Sequence, residues 1–70
     1  MKSELVLKNN LKNVRNNKNL SQEQLASLVG TTRQTVIAIE KGIFNPSVNL
    51  ALLMSVALDC KDEELFFFEY

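Results

Sequence analysis

The sequence predicts an all-α fold of five short helices, with terminal segments able to pair as a small two-stranded ribbon. Three observations carry this. Ser21, Thr32 and Ser47 each stand just before an apolar stretch with helical spacing. Asn19, Gly30 and Gly42 stand where such stretches must stop, each able to take a left-handed conformation. The single proline, Pro46, bars a helix from running through Asn45.

The first helix is expected from about Asn10 to Lys18, with Leu11 and Val14 inward, Asn19 at its C′ position and Leu20 folding back. Asn fills six of the eleven residues from 9 to 19, which reads as polar surface filler. Asn is a poor helix former, so this helix must be held by packing. Ser21-Gln22-Glu23-Gln24 is a capping box that opens the second helix, with Leu25, Leu28 and Val29 as its apolar face and Gly30 as its stop. Thr32 caps a third helix over about Arg33 to Lys41, with Val36 and Ile39 inward and Gly42 at its end. After the loop Ile43-Phe44-Asn45-Pro46, Ser47 caps a fourth helix over about Val48 to Leu58. A short fifth helix lies around Glu63 to Leu65. Glu4 to Lys8 and Phe66 to Tyr70 are short enough to be strands, and two strands alone are marginal.

Length and composition exclude a good deal. Seventy residues make one small domain, expected over 1–70. A core of that size leans on metal, disulfide or oligomerisation. There is no His and only one Cys, Cys60, so a zinc site of the finger kind and an internal disulfide are both excluded. A lone Cys also suits a reducing cytosol. Without His, the Ser–His and Cys–His nucleophile arrangements are gone. Two Gly cannot form a Gly-rich phosphate loop. The first eight residues lack the apolar run of a signal peptide. The longest apolar run, Leu50 to Met54, is far below the ~20 residues of a membrane span. Asp62, Glu63 and Glu64 have no accompanying base or second ligand group, and Cys60 has only Lys61 to favour a thiolate against Asp59 and Asp62. No enzyme activity, cofactor, metal or small-molecule ligand is expected.

The segment from 21 to 41 has a recurring grammar of cap, apolar face, glycine, cap, apolar face, glycine. Two short helices joined by a tight turn containing Gly form a helix-turn-helix. Leu25, Ala26 and Val29 would hold the next helix through Val36 and Ile39, with Ala26 small where the helices cross. The start of that helix then stays free of the core, presenting Arg33, Gln34, Thr35, Ile37 and Ala38. Arg can fork onto guanine, Gln can bond adenine bidentately, and Ala or Thr methyls can touch thymine. The capped N-terminus at Gln22 offers N–H groups to a phosphate, with Lys41 and Asn45 on the other side.

These residues resemble the small phage-repressor/Cro-like (Xre) helix-turn-helix regulators over roughly residues 10–66. The matching stretches are Leu11-Lys12-Asn13-Val14-Arg15, Leu20-Ser21-Gln22-Glu23-Gln24-Leu25-Ala26 and Val29-Gly30-Thr31-Thr32-Arg33-Gln34-Thr35-Val36. Ile39-Glu40-Lys41-Gly42, Asn45-Pro46-Ser47, Leu50-Ala51 and Glu63-Glu64-Leu65-Phe66 complete them. The resemblance implies a five-helix lambda-repressor-like fold with the third helix in the major groove of double-stranded DNA. It implies DNA contacts at Gln22, Thr32, Arg33, Gln34, Ala38, Lys41 and Asn45, to which the free start of the third helix adds Thr35. It also implies an ion pair between Arg15 and Glu40. Lys61 and Asp62 depart from the family pattern, so the fifth helix either starts late or is capped by Asp62. Ile37, bulky where a polar residue is common, either touches DNA or packs on Ile43.

Nine of the eleven residues from Val48 to Leu58 are apolar. Leu50, Ala51, Met54, Ala57 and Leu58 make one face, and Leu52, Leu53 and Val56 make another. A helix apolar all round is buried on both sides. The second face is covered either by the terminal segments or by a second copy of the chain. A homodimer is the expectation taken forward, with Leu52, Leu53, Val56, Phe67 and Phe68 as its candidate contacts. The function expected is a cytoplasmic, sequence-specific transcriptional regulator, acting as a repressor on an inverted repeat. The alternatives are an antitoxin or restriction-controller regulator of the same fold, or a protein-interaction module without DNA binding. The formal net charge of zero is a cancellation. Residues 1–41 carry seven basic against three acidic side chains (+4), and residues 42–70 carry one against five (−4). The positive half holds the helix-turn-helix, so binding should be oriented.

Overall fold

The computed structural model describes residues 5–70. In chain order the elements are β1 (Val6–Asn9), α1 (Leu11–Asn17), α2 (Gln22–Val29), α3 (Arg33–Glu40), α4 (Val48–Ala57), α5 (Asp62–Leu65) and β2 (Phe66–Glu69). The five helices and the antiparallel β1–β2 ribbon match the fold class expected from sequence. The ribbon pairs Val6 with Glu69, Leu7 with Phe68, Lys8 with Phe67 and Asn9 with Phe66. Glu4, the expected start of the first strand, lies outside the described residues.

All four longer helices stop in the same way. The chain turns left-handed at Asn19, Gly30, Gly42 and Asp59, with φ of 60°, 77°, 78° and 53°. The next residue's N–H then reaches back five residues: Leu20 to Arg15, Thr31 to Ala26, Ile43 to Ala38 and Cys60 to Ser55, at 2.9–3.2 Å. Each is a Schellman motif, which satisfies the orphan carbonyls of the last turn. Asp59 is the terminator that the sequence reading missed. Three helix starts are capped as expected, by Ser21, Thr32 and Ser47, and Ser21–Gln24 is a reciprocal box. α5 begins at Asp62, one residue before the expected Glu63, and Asp62 is its first helical residue rather than its cap. The Lys61 N–H donates to Glu64 Oε1 at 2.8 Å instead.

The core joins Leu11, Leu25, Ala26, Val29, Val36, Ile39, Met54, Leu58 and Leu65. Val14, Leu20, Leu50, Ala57, Cys60 and Phe66 close around it. Leu28 departs from expectation: it is 61% exposed. At about 100° per residue, Leu25, Val29 and Ala26 span one arc, and Leu28 lies about 110° from its centre. Ala26 therefore decides which way α2 faces. The Asn-rich run is also more than filler. Asn9 Nδ2 donates to the Ile39 carbonyl at 2.9 Å, and its Oδ1 accepts from the Leu11 N–H at 3.1 Å. The ribbon is thereby tied to the last turn of α3 and the first of α1.

On α4, Met54 and Leu58 are buried, whereas Leu53 and Val56 are 41% and 78% exposed. Among the described residues the terminal segments do not cover this face. They cross only its margin, where Leu52 shares an apolar groove with Leu7, Phe66 and Phe68. Of the two aromatic candidates, Phe67 is half-buried and Phe68 exposed. No helix among the described residues is long and apolar enough to cross a membrane.

Candidate nucleic-acid interface

The joint of the molecule is a buried ion pair. Arg15 Nε donates to Glu40 Oε2 at 2.6 Å and Arg15 Nη2 to Glu40 Oε1 at 3.2 Å, with side-chain exposures of 7% and 4%. Both hydrogens of the other terminal nitrogen are also used. Nη1 donates to the Leu20 carbonyl at 2.8 Å and to Asn16 Oδ1 at 3.1 Å. Gln22 Nε2 then donates to Glu40 Oε1 at 3.0 Å. One carboxylate at the end of α3 thus gathers α1 and the first residue of α2, while Arg15 itself holds the α1–α2 turn. Buried charges persist only when paired and bonded in this way.

With its end so anchored, α3 presents its beginning. Thr32 is the exposed cap: its Oγ1 accepts from the Thr35 N–H at 3.2 Å and shares a hydrogen bond with Thr35 Oγ1 at 3.1 Å. Arg33 and Gln34 are exposed and make no side-chain hydrogen bond among the described residues. Thr35 and Ala38 are half-buried on the same helix, and Lys41 and Asn45 are exposed after it. Thr32, Gln34, Thr35 and Ala38 are brought together along one open groove with Ile43 and Phe44. Gln22 stands apart, with its amide turned toward Glu40. Ile37 is half-buried and outside the residues packed on the core, and Ile43 is 76% exposed.

A match to the helix-turn-helix family model spans residues 11–65. This chain belongs to the helix-turn-helix family of transcriptional regulators. It is 46% identical over 63 residues to an uncharacterized HTH-type transcriptional regulator of Methanocaldococcus jannaschii, covering 90% of this chain and 96% of the relative. It is 48% identical over 63 residues to the uncharacterized HTH-type transcriptional regulator YgzD of Bacillus subtilis, with the same coverage. Among solved structures it resembles the restriction-modification controller protein C.AhdI of Aeromonas hydrophila, with a TM-score of 0.73 and 41% identity. That likeness covers 77% of this chain and 78% of the controller.

Sequence reasoning about this helix-turn-helix regulator missed Ile43 and Phe44 as part of the exposed α3 surface. From this loop it took only Asn45 as a DNA contact, whereas the Ile43 and Phe44 N–H groups both donate to the Ala38 carbonyl, at 2.9 and 3.3 Å, folding the loop back along α3. It also missed Lys8. Pairing of the ribbon sets Lys8 and Lys41 on the walls of one groove, together with Asn9 and Glu40. No local signal in the sequence connects residues so far apart.

Proposed function

We propose that this regulator is a sequence-specific repressor that binds an inverted repeat in double-stranded DNA as a homodimer. The observation that carries this reading is the free start of α3. Arg33 and Gln34 are exposed and unengaged on a helix whose other end is anchored by Arg15, Glu40 and Asn9. In this reading Arg33 reads guanine and Gln34 reads adenine in the major groove. Thr32, Thr35 and Ala38 follow the base edges, while Lys41, Asn45 and the N–H groups at Gln22 set the register on phosphates. The exposed α4 face of Leu52, Leu53 and Val56, continued by Phe68 across the groove it shares with Leu52, joins two copies, with Phe67 as a further candidate contact on β2. Half-sites then lie about one helical turn, ~34 Å, apart. Bound at a promoter, such a dimer represses by excluding polymerase.

The likeness to C.AhdI favours a second reading, control of a restriction-modification system. One experiment addresses both. Duplexes selected from a random pool should converge on a short inverted repeat, and sedimentation of the complex should give two chains per duplex. Failure to enrich any sequence refutes the repressor reading. Recurrence of the selected site beside a restriction gene favours the controller.

A further inference from the structure

The ribbon has two outer edges, and its hydrogen bonding shows what each exposes. The Asn10 N–H donates to the Leu65 carbonyl at 2.9 Å, in line with the ladder that pairs Asn9 with Phe66 and Lys8 with Phe67. Hydrogen-bonded and non-hydrogen-bonded pairs alternate along an antiparallel ladder. Phe67 and Glu69 therefore turn their backbone groups inward to β1, whereas those of Phe66, Phe68 and Tyr70 point away from it. The Phe66 N–H is taken by the Asp62 carbonyl of α5. The Phe66 carbonyl, both groups of Phe68 and the Tyr70 N–H have no backbone partner among the described residues. Such an edge is a template for another strand, and the consecutive Phe66, Phe67 and Phe68 leave it without a guarding charge. The outer edge of β1 differs. Leu7 and Asn9 line one groove with Glu40, Lys41 and Gly42, so a strand added there would run against the end of α3.

The open groups of β2 complement themselves. With the strand antiparallel to its own copy and Phe68 facing Phe68, each Phe68 N–H donates to the other's carbonyl. Each Tyr70 N–H donates to the other copy's Phe66 carbonyl. Every open group finds a partner, and the engaged Phe66 N–H is not needed, whereas the register with Phe67 on the axis would require it. Leu7 faces Phe68 within the ribbon, so an apolar row of Leu7, Phe68, Phe68 and Leu7 crosses the seam on one face. Leu7 and Phe68 share a groove with Leu52 of α4, which makes the seam continuous with the α4 face assigned above to the subunit contact. We propose that the outer edge of β2 pairs with the same edge of a second copy, antiparallel about Phe68, and joins two ribbons into one four-stranded sheet. This rests on the homodimer reading above and adds to it a backbone seam.

The test removes the seam without touching the β1–β2 ladder or the core. Tyr70→Pro deletes one outward N–H per copy, at an edge position where proline is tolerated, and Tyr70→Ala keeps that N–H as the control. Sedimentation equilibrium of the full chain should show a dimer whose dissociation constant rises roughly thirtyfold in Tyr70→Pro relative to Tyr70→Ala, for two hydrogen bonds lost per dimer. An unchanged circular dichroism spectrum controls for folding. A second measurement fixes the register. Phe68→Cys in a Cys60→Ala background should form an intermolecular disulfide under mild oxidation, since facing Cα atoms of a hydrogen-bonded pair lie about 5.5 Å apart, within disulfide reach. Equal dimerisation of Tyr70→Pro and Tyr70→Ala overturns the edge seam and leaves the homodimer to α4. Absence of the disulfide in a Phe68→Cys chain that still dimerises does the same. A wild-type chain that stays monomeric at every concentration overturns the homodimer reading and this proposal together, and leaves the edge to a strand of another protein.

Discussion

Glu40 organises this molecule, and its removal is the sharpest test of that view. Glu40→Leu deletes both hydrogen bonds from the Arg15 fork and the one from Gln22. It leaves a guanidinium whose side chain is 7% exposed, held only by the Leu20 carbonyl and Asn16. Breaking a buried pair from one side costs about 3–5 kcal/mol. The two surviving bonds of Arg15 place Glu40→Leu near the lower end, at about 3 kcal/mol. Arg15→Met strands the Glu40 carboxylate, with only Gln22 left to bond it, and belongs near about 4 kcal/mol. In the double variant neither charge remains. The chief residual loss is the orphaned Leu20 carbonyl, at about 1–2 kcal/mol. The two changes should therefore be strongly non-additive, by at least about 2 kcal/mol. A domain of this size has only a few kcal/mol in hand, so urea titrations belong in a stabilising osmolyte that keeps both single variants folded. Either single change costing under about 1 kcal/mol, or simple additivity, would refute the reasoning.

Other consequences are open to direct measurement. Gly30→Ala meets no atom within 4 Å but forces alanine to φ 77°, so it should cost about 1 kcal/mol in thermal unfolding followed by circular dichroism. Arg33→Ala should cost about 1–3 kcal/mol on the selected site and relax one base position, whereas Lys41→Ala should weaken all duplexes and reduce the salt slope by about one. Leu53→Glu should turn a dimer into a monomer or an insoluble chain; a soluble dimer unchanged by light scattering would remove α4 from the subunit contact. Burial, chiefly, together with Glu64 and Asp59, raises the Cys60 thiol pKa, opposed by Lys18. The folded state therefore favours the protonated thiol, and its contribution to stability fades as pH climbs past the ordinary thiol range. Disulfide-exchange reagents should modify the folded chain more slowly than the unfolded one near pH 8.

Much of this was legible because the helices carry their own start and stop signals. Ser21, Thr32 and Ser47 act within three residues, and Asn19, Gly30 and Gly42 turn the chain by their intrinsic tolerance of positive φ. Arg33 and Gln34 were readable as free residues because Val36 and Ile39 fix which side of the helix is inward. Asp59 was missed because aspartate tolerates the left-handed region without advertising it as glycine does. Leu28 was misplaced because periodicity alone does not tell whether Leu28 or Ala26 completes an arc with Leu25 and Val29. The crossing of two helices settles it for the smaller residue. Asn9, Lys8 and the Ile43–Phe44 wall owe their places to tertiary contacts, which leave no trace in a local window.

The ribbon has a kinetic consequence. Pairing Val6 with Glu69 brings together segments separated by nearly the whole chain, whereas the helix caps and terminators close within a few residues. Joining ends across ~60 residues costs about 3.6 kcal/mol in chain entropy, against about 2 kcal/mol for a ten-residue gap. Four ladder positions on an otherwise assembled helical body repay such a cost only late, so the ribbon should form after the nucleus and exchange its amide protons first. Because Asn9 grips the Ile39 carbonyl, each such opening also releases one restraint on the last turn of α3. The chain thus has a slow clasp at its periphery that sets how stiffly its reading helix is held.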